Sequence, residues 1–231
     1  MTRLEALQRE IVQCRACPRL VRWREEVARL KVRRFRDWTY WARPLPGFGD
    51  PRAGLLIMGL APAAHGGNRT GRMFTGDRSG DWLFDALHHA GFANQPTSVH
   101  AADGLRLRDA YITATIRCAP PANKPLPAEI LACRPYLLDE LRLLDRVRVV
   151  VGLGRIGWDA YLRARRALGH GPPPVRPVFA HGATSDLGGG VTLIACYHPS
   201  QQNTFTGKLT RSMLRAVFTQ ARRILERPSE P

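Results

Sequence analysis

The chain has 231 residues, 44% of them hydrophobic, enough to bury a sizeable core in a single domain over 1–231. Its 35 Lys and Arg against 19 Asp and Glu give a formal charge of +16, which draws polyanions such as nucleic acid unless it is only a generally basic solvated surface. No stretch approaches 18 consecutive apolar residues, which argues against a membrane-spanning helix.

At the start, MTRLEALQREIVQC reads as an amphipathic helix. Thr2 and Glu5 form a capping box, and Leu4, Leu7 and Ile11 share one face. It lacks the apolar run of a signal peptide, so a cytoplasmic, thiol-reducing setting is expected, and the five cysteines need an explanation other than disulfides. Residues 33–49 are aromatic and basic, with Trp38, Tyr40 and Trp41, and read as irregular structure. Four short apolar runs follow: GLLIMG (54–59), AYITAT (110–115), VRVVVG (147–152) and VTLIAC (191–196). Helical patterns lie between and after them, over 81–90, 128–144, 156–168 and 208–225. Apolar strands alternating with helices predict a three-layer α/β/α fold around a four-stranded parallel sheet. Ligands bind such sheets beyond the carboxyl ends of the strands, so the loops after Gly59, Thr115, Gly152 and Cys196 are the ones to search.

Cys14 and Cys17 form a C-x2-C after the first helix; Cys118 follows the second strand, and Cys133 lies in a helical pattern. Two adjacent and two remote thiols can supply four tetrahedral sulfur ligands to a cubane cluster or a zinc ion, although a zinc ribbon would want a second close pair. The alternative is four small buried thiols. Cys196, inside a strand, reads as core.

The first loop, GLAPAAHGGNRTGRMFTGD (59–77), has glycines that let backbone amides approach a ligand, and it brings Phe74 and Asp77 to the strand ends. The last strand runs into CYHPSQQNTFTG (196–207), which presents His198 at the same edge. A neutral imidazole there can donate to a developing anion. Taken alone, Asp77 is a helix cap and His198 a loop histidine; convergence favours chemistry. GLGRIG (152–157) matches G-x-G-x-x-G, but no Asp or Glu follows over 160–185 to read a ribose. Its glycines serve either close helix–sheet packing or a helix N-terminus set against a DNA phosphate, with Gly154 and Arg155 at the contact.

GLAPAAHGGNRTGRMFTGD and HPSQQNTFTG resemble motifs 1 and 2 of uracil-DNA glycosylases. The cysteine spacing, with RCAPPANKP around Cys118, resembles their iron–sulfur members, family 5 in particular. The resemblance runs from Cys14 to Gly207. It implies a four-stranded parallel sheet, base flipping and hydrolysis of the base–sugar bond. It also implies a structural [4Fe-4S] cluster on Cys14, Cys17, Cys118 and Cys133. On that basis the base stacks on Phe74 and meets the backbone of Gly59, Ala61, Pro62 and Ala63. Asn123 would read its edge, His198 would stabilise the leaving base, and Asp77 would position water or stabilise the sugar cation. Ser200, Gln201, Gln202 and Asn203 would contact DNA, with residues 201–206 supplying a wedge.

The chain departs from relatives in two ways. Leu60, Ala61, Ala63 and Ala64 offer no carboxylate where many members carry one. Ala114 stands where family 4 has an asparagine, which implies that hypoxanthine and other damaged bases are accepted beside uracil. Neither motif holds a lysine, so a Schiff-base lyase is not expected. A monomer acting on DNA is the expectation. The rival readings are a non-catalytic iron–sulfur DNA-binding module and a nucleotide-dependent Rossmann enzyme.

Overall fold

A computed structural model of the protein describes residues 1–227. Helix α1 (Arg3–Gln13) opens on the expected capping box: Glu5 N–H donates to Thr2 Oγ1 at 3.2 Å, and Thr2 N–H to Glu5 Oε2 at 2.7 Å. Helix α2 (Pro18–Leu30) starts on Pro18, whose missing N–H costs nothing at a first helical position, and buries Leu20, Val21, Arg24 and Val27. Residues 33–49 hold only a 3₁₀ turn (Arg33–Phe35) and the two-residue strand β1 (Phe48–Gly49). Then come β2 (Leu55–Gly59), a short helix α3 (Gly67–Thr70), α4 (Arg78–His89) and β3 (Ala110–Ala114). A 3₁₀ turn (Pro121–Asn123) leads to α5 (Pro127–Leu143), β4 (Val149–Leu153) and α6 (Gly154–Ala167). The chain finishes with β5 (Thr184–Asp186), β6 (Thr192–Cys196), α7 (Gln201–Phe205) and α8 (Arg211–Glu226).

The sheet order is β1-β3-β2-β4-β6-β5. The neighbouring strands β3, β2, β4 and β6 are parallel and fall on the four apolar runs. The expected count of four is corrected to six, because β1 and β5 add antiparallel edges. Both are two or three residues long and half-buried or exposed, so no apolar run marks them.

Alternation along the strands builds the two outer layers. Leu55, Ile57, Ile112, Val149, Val151 and Ile194 face α4 and α8, packing on Leu83, Phe84, Leu214 and Phe218. Leu56, Met58, Tyr111, Val150, Leu193 and Ala195 face the other way, onto Leu4 of α1, Leu137 of α5, and Trp158 and Tyr161 of α6. Both faces are covered, as a parallel sheet requires. Cys196 is fully buried in the first of these layers. Among the described residues no helix is long and apolar enough to cross a membrane.

Candidate functional site

The carboxyl ends of β2, β4 and β6 meet at one edge. Gly59 ends β2, and its carbonyl is fixed by Thr115, whose backbone N–H donates at 3.0 Å and whose hydroxyl donates at 3.1 Å. The Phe74 ring lies across Gly59: a Cβ on that glycine would come within 3.2 Å of it. Phe74 sits at φ 51°, a left-handed conformation costly for an aromatic residue and held by its surroundings. Its ring centroid is 6.0 Å from that of His198, with the planes tilted by 35°. Gly154, at φ 75°, closes the other side, since a Cβ there would meet His198 Cβ at 3.2 Å. Phe74, His198, Gly59 and Gly154 are therefore neighbours, although 139 positions separate Gly59 from His198 in sequence. Burial pushes His198 down to about 4, so its imidazole is neutral at pH 7.

Asp77 is the N-cap of α4, and its Oδ1 accepts from the Gly80 N–H at 2.9 Å. The capping role is thus real. The other oxygen, Oδ2, presses against the Cα of Gly66, where any side chain would collide with it. Burial raises the Asp77 carboxyl, opposed by the backbone N–H groups it caps and by Arg69. Around it, Ala61 and Ala63 are half-exposed, and Pro62 is buried against Gly67. The whole loop is braced by Arg69, which is almost wholly buried. Arg69 donates to the carbonyls of His65 at 2.8 Å and Gly76 at 2.7 Å, with its guanidinium 3.8 Å from the Phe35 ring and 4.1 Å from that of Trp38. Sequence reading missed Arg69, because a lone arginine in a basic chain carries no sign that it is buried.

The His198 loop is held by its own successors. Ser200 caps α7 by accepting from Asn203 N–H at 3.4 Å, and Asn203 Nδ2 donates to the His198 carbonyl at 2.9 Å. Ser200 and Asn203 thus position His198, whereas Gln201 and Gln202 are exposed and able to meet a ligand. Phe205 is 66% exposed, beneath the Arg78 guanidinium at 4.4 Å. Arg155 is exposed at the start of α6 and pairs with Asp159 at 3.0 Å. Asn123 is exposed on its 3₁₀ turn at φ 55°. A separate cavity of about 790 Å³ runs along α6 between Trp158, Arg165 and Pro173.

The glycines of GLGRIG are consumed by packing. Gly152 abuts Trp158, Gly154 abuts His198, and a Cβ on Gly157 would strike the Met58 carbonyl. A dinucleotide has no seat there, which removes the ground for a Rossmann enzyme.

Cys14, Cys17, Cys118 and Cys133 line one small cavity with Arg24, Arg117 and Tyr136. A buried network ties together the elements that carry three of them. On α5, Glu140 accepts from Arg117 at 2.6 Å, from Tyr111 at 2.9 Å and from the Thr113 hydroxyl, while Gln8 of α1 reaches Tyr111 at 3.0 Å. Arg24, also buried, donates to Cys118 Sγ at 2.9 Å and to the Cys14 carbonyl at 3.3 Å. A cation against a sulfur suits thiolates bound to a metal cluster. Among the described residues no three such groups close on a single ion. Four cysteines around one cavity, with a buried guanidinium beside one sulfur, are a donor set that a metal centre bound through thiolates could use.

Comparison with known proteins gives a consistent picture. A family model described as the uracil DNA glycosylase superfamily matches residues 46–222. A type-5 uracil-DNA glycosylase of Mycobacterium bovis is 58% identical over 212 residues, covering 91% of this chain and 78% of that protein. A type-5 enzyme of Thermus thermophilus is 53% identical over 220 residues, 95% of this chain and 97% of its own. One from Pyrobaculum aerophilum is 45% identical over 211 residues, with 91% and 88% covered.

Proposed function

The chain belongs to the uracil-DNA glycosylase superfamily, and from that premise we propose the residues and base range by which it acts as a DNA-repair enzyme excising uracil. The observation that carries the assignment of residues is the meeting of Phe74, Gly59 and His198 at the carboxyl edge of the sheet, with Asp77 three positions after Phe74.

An extruded base stacks on Phe74 and meets the backbone from Gly59 to Ala63, with Asn123 approaching its edge as the turn adjusts. The C1′–N bond breaks with its electron pair going to the base, and the sugar becomes cationic. Neutral His198 donates an N–H hydrogen bond to the base carbonyl oxygen on which charge accumulates; with a pKa of about 4 it is a poor proton donor and a good dipole. The Asp77 carboxylate faces the sugar cation and orients the water that adds hydroxide to C1′, the water's proton passing to the departing base. Phe205, the exposed ring of α7, fills the gap left in the base stack.

Cys14, Cys17, Cys118 and Cys133 hold a [4Fe-4S] cluster that acts as a structural tie between α1, α5 and the loop after β3. With Ala114 in place of a hydrogen-bonding side chain, the pocket also admits hypoxanthine. Single-turnover cleavage of a labelled duplex with one uracil, read as alkali-sensitive abasic sites, tests the reading. Wild-type rates from both Asp77→Asn and His198→Ala would reject the assigned roles.

A further inference from the structure

The rim beside Asp77 is overcharged. Arg215 and Arg211 share Asp85, at 2.9 and 3.3 Å. Burial raises the neighbouring Asp81 carboxyl, while Arg211, Arg34 and Arg78 each pull it the other way. Four cations thus crowd two carboxylates.

Three of the four lie over aromatic rings. Arg34 lies 5.1 Å from Phe35, Arg78 4.4 Å from Phe205 and Arg211 4.9 Å from Trp82. All three are exposed, and the cation–π contact favours these placements before any ligand arrives. Arg34 has a further restraint, because its turn is stapled to the first loop by Arg69 between Phe35 and Trp38. Two of the three also break a local rule. Arg78 is the first residue of α4 and Arg211 the first of α8, where the helix dipole disfavours a cation. Violations of local preference gather at functional sites, and here two occur on one rim next to Asp77 and Phe205.

We propose that Arg34, Arg78 and Arg211 form a clamp for the phosphodiester backbone of the strand that carries the extruded nucleotide. Two helix starts and a stapled turn present the guanidiniums, and Phe205 stands beside Arg78 to enter the stack. An anion at the clamp also relieves the unfavourable charge at both helix starts. The inference rests on the glycosylase reading of the same edge.

The test is binding of a short undamaged duplex, followed by fluorescence anisotropy across a salt series. Removing one arginine–phosphate pairing should make the slope of log affinity against log salt shallower by about 0.9. R34Q/R78Q/R211Q should therefore flatten the slope by roughly 2–3. The control R52Q/R108Q/R146Q removes the same charge from exposed residues just before β2, β3 and β4, at the opposite edge of the sheet. It should leave the slope close to wild type. Equal flattening by both triples, or none by the first, overturns the clamp. If the first triple melts early, R78Q alone carries the test, with an expected change of about 1. Undamaged DNA keeps the outcomes separable: failure to excise uracil would reject the catalytic reading and leave this comparison intact.

Discussion

Replacing Asp77 by asparagine separates two roles that the geometry superimposes. Its Oδ1 caps α4 through Gly80, and asparagine caps as well as aspartate does, so the cap survives. Burial raises the Asp77 carboxyl, so removing the charge also removes a desolvation cost. The variant should melt within a few degrees of wild type or slightly above. If the carboxylate stabilises the sugar cation, single-turnover cleavage should fall ~10²-fold, equivalent to about 2.7 kcal/mol of transition-state stabilisation, with DNA affinity retained. Asp77→Ala should show the same rate loss and in addition lose the cap. That costs about 1 kcal/mol, or roughly 2–4 °C in a chain of this size. The raised carboxyl also sets a sign. Since the folded pKa lies above the unfolded one, stability falls as pH rises through that interval, while cleavage gains as the carboxylate ionises. Asp77→Asn should lose both trends. Wild-type cleavage by Asp77→Asn, beside a lower melting point for Asp77→Ala, would leave Asp77 a cap and nothing more.

His198 makes the opposite case. Its folded pKa near 4 lies below the unfolded value, so its contribution to stability is complete above pH ~6.5 and drains away toward pH 4. The full loss is on the order of 3 kcal/mol, and melting at pH 7 and pH 5 should differ more for wild type than for His198→Asn. His198→Ala should slow cleavage ~10²-fold in single-turnover assays. Purified protein should absorb broadly near 400 nm and carry about four irons by elemental analysis; stoichiometric zinc would refute the cluster. Cys133→Ser should lower iron content and melting temperature together, and Cys196→Ser should leave the iron unchanged. Hypoxanthine-containing duplex should be cleaved as well as uracil duplex; cleavage of uracil alone would mean that Asn123 restores strict selection.

The four interior strands and five long helices were legible because their apolar spacing has no other use. The edges β1 and β5 were not, since two or three half-exposed residues leave no pattern. Helix α2 was hidden by arginine, including Arg24 on its buried face. That is the wider blind spot. Arg24, Arg69, Arg117 and Arg165 are all buried, yet arginine in a +16 chain reads as surface. Phe74 and His198 were legible as neighbours through their place after strand ends, and Asp77 as the cap of the helix that follows. Which of Ser200 to Asn203 hold the loop and which face outward depends on side-chain hydrogen bonds that no spacing reveals.

The run GLGRIG shows how one glycine pattern can serve opposite ends. In a dinucleotide site, bare Cα atoms leave a hollow for a visitor's pyrophosphate. Here the chain occupies its own hollow: a tryptophan, a main-chain carbonyl and the stem of His198 stand where a guest would lie. The clearance is spent on admitting a histidine to the sheet edge. An alanine at residue 154 would crowd the stem of His198, and if the imidazole has the role proposed for it, a displacement of tenths of an ångström would be felt in the rate of cleavage.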